Sequence, residues 1–210
     1  MNLKVNKELL HRSFNFEVRA LNNEKKYTLA GIPIVYGQRT DLGWFDEEIV
    51  AGALDKTDLK DVRFLVNHDT SKIPLARSRN NNANSTMRLQ VTERGLEIEV
   101  DLDVENNAEA RALYSAVERG DISGMSFMFA IRGEEWVDVD TDHPLRKITD
   151  ISTVVEVSAV TFPAYEQTEI TARDKQALDN AKRTLDSVRK KSLDSEKEKL
   201  ELEKLKTLYL

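Results

Sequence analysis

Apolar and polar residues alternate along most of the first 160 residues of the chain. The clearest runs are 87–91 and 96–102, and Glu93-Arg94-Gly95 lies between them. Because successive side chains of a strand point to opposite faces, this period of two predicts strands with one buried face, here joined by a hairpin loop. Further strands are predicted over 14–20, 27–36, 62–66, 122–131 and 148–161.

Two helices are predicted between these strands. Asn106 or Asn107 can cap a helix that runs to about Arg119, and Gly120 supplies a stop. A shorter helix is predicted over 46–54. About seven strands with one or two helices between them predict a mainly β (α+β) fold, in the form of a closed or nearly closed β-barrel surrounded by helices.

The last forty residues, 171–210, form a segment of different character. They contain no Gly or Pro and are dominated by Ala, Leu, Lys, Glu and Arg, which predicts a helix. A coiled-coil spacing is followed by Leu178, Ala181, Leu185 and Val188, but polar residues then interrupt the seam. So weak a stripe predicts that the tail folds fully only against a partner or its own copies. The alternative is a solvated charged helix without a specific partner.

These patterns divide the chain into three parts. We expect a flexible N-terminal segment over 1–12, a β-barrel domain over 13–170 and a charged helical, coiled-coil tail over 171–210. The tail has eleven Lys or Arg and eight Asp or Glu, a net charge of +3, whereas the rest of the chain carries −9.

The amino-acid composition excludes several classes of function. The 210 residues include no cysteine and three histidines, which excludes disulfides, thiolate zinc sites and cysteine nucleophiles and leaves little material for a metal centre. The net charge of −6 argues against a nucleic-acid partner. No apolar run is long enough to cross a bilayer, and the N-terminus has no basic-then-apolar signal pattern, so neither a membrane protein nor a secreted one is expected. We expect a cytosolic protein whose chemistry uses hydroxyl, imidazole or carboxylate groups, without a cofactor.

Three residues could carry that chemistry. His68 ends an apolar run, where a strand would deliver a general base to a cleft, or it is a surface histidine bonded to Asp69. Ser126 lies between large apolar residues on a predicted strand, where it is either a rigidly held nucleophile or an ordinary strand serine. Glu156 shares one side of its strand with Ser158 and either faces solvent or orients a histidine.

The residues around Ser126 disfavour an α/β-hydrolase, because Met128 stands where the second glycine of a G-x-S-x-G turn belongs.

Five short segments, in this order, resemble the prohead proteases of HK97-type tailed bacteriophages. The resemblance spans roughly residues 14–168 and departs from the common pattern at Met128, where a glycine often follows the aromatic residue. The segments are Phe16-Glu17-Val18-Arg19-Ala20, Gly31-Ile32-Pro33-Ile34-Val35-Tyr36, Leu65-Val66-Asn67-His68-Asp69, Gly124-Met125-Ser126-Phe127 and Glu156-Val157-Ser158-Ala159-Val160-Thr161-Phe162-Pro163-Ala164-Tyr165.

The resemblance implies a serine endopeptidase with a β-barrel surrounded by helices, similar to the herpesvirus assemblins. Such an enzyme acts in the host cytoplasm, inside the assembling procapsid. It trims the scaffold segment of the major capsid protein and commonly degrades itself. The major capsid protein is therefore the expected partner, and the tail is expected to mediate self-association or encapsidation.

Carried onto this chain, the family's histidine falls on His68, its nucleophile on Ser126 and its acidic residue on Glu156. Herpesvirus relatives use a second histidine in the third position, which makes His143 the competitor. We prefer Glu156, because His143 lies in an acidic, proline-bearing loop. Two other functions stay open at this point: a non-enzymatic internal scaffold of the capsid, and a peptide-binding β-barrel module.

Overall fold

The structure, a computed structural model, describes residues 9–14, 18–23, 26–161 and 172–208. This part of the chain contains eleven strands and two α-helices, α1 (Ala108–Glu118) and α2 (Ala172–Leu208). Neither helix has a stretch apolar and long enough to span a bilayer. The strands are β1 (Leu9–Phe14), β2 (Arg19–Asn23), β3 (Lys26–Val35), β4 (Arg39–Asp41), β5 (Asp46–Ile49), β6 (Arg63–Val66), β7 (Ala76–Arg77), β8 (Met87–Thr92), β9 (Gly95–Leu102), β10 (Gly124–Val137) and β11 (Leu145–Val160).

The described strands form two sheets. The seven-stranded sheet has the order β1-β10-β11-β5-β4, with β6 paired to β11 and β7 paired to β6, and the four-stranded sheet has the order β2-β3-β9-β8. The fold is mixed α+β and mostly sheet, and the described strands do not form the closed barrel that was one form of the prediction. Both sheets keep open edges, because β1, β4 and β7 in the larger sheet and β2 and β8 in the smaller sheet each pair with one described strand only. Along β11, the first part pairs in parallel with β5 and the last part with β6.

One buried apolar cluster holds the two sheets and α1 together. Both sheets contribute one apolar face, as the alternating pattern of the sequence requires. Burial of apolar surface in this cluster stabilises the arrangement of β6, β10 and β11, by roughly 0.8 kcal/mol for each buried methylene. Representative members are Leu29, Phe64, Ile98, Leu113, Phe127 and Val157.

Helix α1 lies where the sequence predicts a helix. The side chain of Asn107 caps it by accepting hydrogen bonds from the backbone N–H groups of Glu109 and Ala110. Gly120 follows the helix with a φ of 79°, the left-handed conformation that glycine adopts at little cost. The capping pattern was therefore sufficient to predict both ends of α1.

The helix predicted over 46–54 is wrong. Asp46–Ile49 form β5, which pairs in parallel with the start of β11. Glu47 and Ile49 are buried on one face of this strand. Glu47 can be buried because two arginines surround its carboxylate, and no local pattern in the sequence contains that information.

The N-terminal part of the chain also differs from expectation. Leu9–Phe14 form β1, an edge strand antiparallel to β10, so residues 9–12 of the segment predicted to be flexible belong to the sheet. The single strand predicted over 14–20 is divided, because β1 ends at Phe14 and β2 begins at Arg19. Residues 1–8 and 15–17 lie outside the described residues.

Helix α2 packs against the rest of the chain through its first half. Ala181 and Leu185 are buried in a second apolar cluster with Phe45 and Trp136. The Arg189 guanidinium donates to the carbonyl oxygens of residues 139 and 141. The first half of the predicted seam therefore has a partner within the same chain. Farther along the helix, the apolar side chains whose burial is described are exposed: Leu193, Leu200 and Leu202.

Candidate active site

His68 lies in a tight turn just beyond β6. It follows Asn67, and both residues have left-handed backbone angles, with φ values of 51° and 57°. Non-glycine residues rarely adopt this conformation, and those that do are enriched at functional sites. Strand β6 runs parallel to β11 with Val66 beside Ala159. The turn at residues 67–68 keeps the imidazole next to the end of β11.

Ser126 lies on β10, in the interior of the larger sheet. Its neighbours across the ladder are Ser13 on β1 and Ser158 on β11. The side chain is fully buried, and its hydroxyl oxygen lies 2.5 Å from Nε2 of His68. The hydroxyl is also 2.8 Å from the carbonyl oxygen of Arg12. Because a hydroxyl has one proton, these two groups compete for its donation.

Glu156 completes the arrangement from β11. Its Oε1 atom lies 2.5 Å from Nδ1 of His68, and its Oε2 atom accepts a hydrogen bond of 2.6 Å from the Ser158 hydroxyl. The carboxylate is 1% exposed, so it could not remain there unpaired without a large desolvation cost. Both oxygens have partners, which fixes the direction in which the carboxylate faces the imidazole.

The three side chains thus form a continuous line from hydroxyl to imidazole to carboxylate. We call Ser126, His68 and Glu156 the hydroxyl–imidazole–carboxylate site. An imidazole whose second nitrogen faces a carboxylate can accept a proton from a hydroxyl and hold it while the oxygen attacks an electrophile. His68 is 21% exposed, so the site is open to solvent at the histidine and closed around the serine and the glutamate.

His143, the competing third member, lies elsewhere. It precedes β11, and its Nε2 atom is 3.0 Å from Oδ1 of Asp46 on β5. Glu156 lies near the opposite end of β11, where that strand pairs with β6. The structure therefore brings Glu156, and not His143, to the imidazole of His68.

One group of side chains in the described part of the chain could hold a metal ion. Asp41, Asp46 and His143 offer ligand atoms within 4.8 Å of one another. Asp41 and His143 are largely exposed. This group lies at the β5 end of β11, away from the hydroxyl–imidazole–carboxylate site, and supplies nothing to its chemistry.

A buried network of charges fixes the strand beside the nucleophile. The Arg12 guanidinium on β1 makes two hydrogen bonds to the Glu47 carboxylate, and Arg146 donates to the same carboxylate at 3.1 Å. Arg146 also donates to Glu134 at 2.6 Å through Nε. Burial raises the pKa of Glu47, but its two arginine partners outweigh burial and hold that pKa below the ordinary carboxyl value. The network therefore ties β1, which contacts Ser126, to β5.

Sequence reasoning gave no role to two groups that contact the site. The carbonyl of Arg12 belongs to the segment predicted to be flexible, and no local signal indicated its contact with Ser126. The sequence predicts that Ser158 shares a face with Glu156, because the two residues are two positions apart on a strand. Its contacts with both Glu156 and His68 required the turn after β6.

Comparison with known proteins identifies the family of this chain. Residues 14–184 match the family described as caudovirus prohead serine protease. No curated protein sequence matches the chain significantly. A solved structure, the bacteriophage T4 capsid assembly protease gp21, is similar with a TM-score of 0.43 and 11% identity, over 74% of this chain and 98% of that one. That likeness is too distant to add to the assignment. On the family match, which covers most of its length, the chain belongs to the caudovirus prohead serine proteases.

Proposed function

We propose that Ser126 is the nucleophile of this serine protease, that His68 is its general base and acid, and that Glu156 orients His68. The observation that carries the proposal is the pair of short contacts made by the imidazole, 2.5 Å to the hydroxyl oxygen and 2.5 Å to the carboxylate. Each nitrogen of the ring thus faces the partner that the reaction requires of it.

The proton path follows from these contacts. The Ser126 hydroxyl donates its proton to Nε2 of His68 as the oxygen attacks the carbonyl carbon of a peptide bond. Nδ1 of His68 donates to Glu156, whose negative charge stabilises the imidazolium that forms. Nε2 then returns the proton to the leaving amine. Water repeats the same sequence on the acyl-enzyme and releases the second product, so atoms and protons balance over the cycle.

Arg12 adds a condition to this path. While the Ser126 hydroxyl donates to the carbonyl oxygen of Arg12, its proton is not directed at Nε2. The reactive form is the one in which the hydroxyl rotates toward His68. Because the two acceptors lie at 2.8 Å and 2.5 Å, this change needs rotation of one bond and no movement of the strands.

For the substrate, we propose the scaffold segment of the major capsid protein, together with the protease itself, inside the assembling procapsid in the host cytoplasm. Membership in a prohead protease family supports this proposal. The finer likeness to HK97-type enzymes and herpesvirus assemblins belongs to the same proposal. The distal half of α2, with its exposed leucines, is the segment we propose for self-association or encapsidation. A non-enzymatic scaffold is disfavoured, because the family is one of serine proteases.

The test is coexpression with the major capsid protein of the same phage. We expect the wild-type protein to shorten the capsid protein and Ser126→Ala to leave it intact. Ser152→Ala is the matched control, since Ser152 lies on β11 and its hydroxyl donates to the carbonyl of Ala130. Shortening of the capsid protein by a folded Ser126→Ala variant would contradict the proposal.

A further inference from the structure

Ser158 is a buried hydroxyl that contacts both of the residues on which the nucleophile depends. It lies on β11, two positions beyond Glu156, and is fully buried. Its Oγ atom donates to Oε2 of Glu156 at 2.6 Å and accepts from the backbone N–H of His68 at 3.1 Å. No other role is evident for this hydroxyl, because both of its contacts lie in the hydroxyl–imidazole–carboxylate site.

The direction of each hydrogen bond is determined by chemistry. A backbone N–H can only donate, so the Ser158 oxygen accepts from His68. A carboxylate can only accept, so the single hydroxyl proton of Ser158 is directed at Glu156. A hydrogen bond to a charged acceptor is about twice as strong as a neutral one, and burial strengthens it further. Ser158 therefore holds one oxygen of Glu156 and leaves the other to face the imidazole.

The contact with the His68 backbone matters because that backbone is unusual. Left-handed angles at two successive non-glycine residues persist only when surrounding contacts hold them. Asn67 is held by the end of β11: its N–H donates to the carbonyl of Ala159, and its side chain exchanges hydrogen bonds with Thr161. For His68 itself, Ser158 supplies the partner of the backbone N–H.

We propose that Ser158 is a positioning residue of the protease, acting on the general base and on the acid that orients it. This inference rests on the proposed function, since it assigns Ser158 a role in the chemistry of Ser126. Ser158 does not touch the reacting atoms. It sets the angle at which Glu156 meets Nδ1 and the point on the turn from which the His68 side chain extends.

The experiment measures covalent labelling of Ser126 in the full chain by a fluorophosphonate, followed by intact mass. This reagent needs an activated serine and no knowledge of the cleavage sequence. Its maximal labelling rate reports the activation of Ser126, and its half-saturating concentration reports binding. We expect Ser158→Ala to lower the maximal rate on the order of 10- to 100-fold, the range for loss of hydrogen bonds to charged groups, and to leave the half-saturating concentration unchanged.

Two further variants separate positioning from a general loss of structure. Ser152→Ala, which removes a hydroxyl from the same strand, is expected to label at the wild-type rate. In a Glu156→Ala background, Ser158→Ala is expected to cost much less than in the wild type, because one of its two targets is already absent. Ser158→Thr keeps the hydroxyl, and its maximal labelling rate is expected to lie between those of Ser158→Ala and the wild type. It is also the variant to measure if Ser158→Ala does not fold.

The outcomes distinguish this inference from the function on which it rests. Equal maximal rates for wild type and a folded Ser158→Ala would overturn the positioning role alone. The same fold-reduction in the wild-type and Glu156→Ala backgrounds would also overturn it, because a serine with a purely structural role acts independently of Glu156. Failure of the wild-type protein to label at Ser126 would contradict the proposed function, and this inference with it.

Discussion

Nδ1 of His68 lies 2.5 Å from Oε1 of Glu156, although 88 positions separate the two residues in sequence. Parallel pairing of β6 with β11 sets Val66 beside Ala159, three residues beyond Glu156. A strand that continued straight would carry His68 farther from the carboxylate. The left-handed turn at Asn67 and His68 instead brings the imidazole back over the end of β11.

This relationship predicts the effect of neutralising Glu156. Glu156→Gln keeps the size of the side chain but removes the charge that stabilises the imidazolium. We expect kcat for cleavage of the capsid protein to fall by about 10³- to 10⁴-fold, as for the equivalent change in other hydroxyl–imidazole–carboxylate sites, with little change in KM. Steady-state kinetics on a peptide from the observed cleavage site measures both constants. Glu135→Gln, an exposed position on β10, is the control, and an equal loss in both variants would count against the role of Glu156.

The buried charge network predicts a large change in stability. Glu47→Gln leaves Arg12 and Arg146 buried without their shared carboxylate. Breaking a buried ion pair on one side costs about 3–5 kcal/mol, and chemical denaturation monitored by circular dichroism measures it. Glu48→Gln, next along β5, loses one long contact to Arg39 at 3.4 Å and should change the free energy of unfolding by less than about 1 kcal/mol. An equal change in the free energy of unfolding in Glu47→Gln and Glu48→Gln would show that the network does not stabilise the fold.

The same network predicts an acid-dependent loss of stability. The pKa of Glu47 is lower in the folded chain than its ordinary value of 4.5, because the arginines outweigh burial. Its contribution is therefore complete above pH 4.5 and is lost as the pH falls through the lower, folded-state pKa. The free energy of unfolding, measured from pH 7 down to pH 3, should fall less steeply in Glu47→Gln than in the wild type. Parallel curves for the two proteins would contradict this linkage.

The packing of α2 predicts that its two halves differ in importance. Leu185 is 2% exposed and packs in the cluster with Phe45 and Trp136, so Leu185→Ala should lower the free energy of unfolding by about 2–5 kcal/mol. Leu193 is 55% exposed, and Leu193→Ala should cost less than about 0.5 kcal/mol. Thermal and chemical denaturation of the two variants test this. A small effect at Leu185 would mean that α2 does not pack on the body in solution.

Local sequence patterns predicted the strands and the helix that are determined by residues close together in the sequence. Alternation predicted β8 and β9, and the Asn107 cap with Gly120 predicted α1. The further strands predicted over 27–36, 62–66, 122–131 and 148–161 correspond to β3, β6, β10 and β11. The family resemblance, together with the strand positions, nominated the three residues that the structure brings together. The strand and helix predictions depend on periods, caps and turns, which are contained within a few neighbouring residues, whereas the choice of the three site residues depends on the resemblance.

The features that were predicted wrongly or missed depend on long-range pairing. Glu47 lies in the segment predicted to be a helix, and its burial in β5 depends on Arg12 and Arg146, which surround its carboxylate. Residues 9–12 lie in the segment predicted to be flexible, but they pair with β10. The first part of the tail packs on the body through Phe45 and Trp136, a partner within the same chain that the seam alone does not identify. None of these contacts leaves a signal in the local pattern of a single sequence.

The most direct test of the central claim is to map the residue that a fluorophosphonate modifies in a preparation that cleaves the capsid protein. We predict one adduct, on Ser126, with loss of cleavage in proportion to labelling, and no adduct in a folded His68→Ala variant. Cleavage that stops while the adduct lies on another residue would contradict the assignment. Cleavage by protein in which Ser126 has been replaced by alanine would contradict it equally.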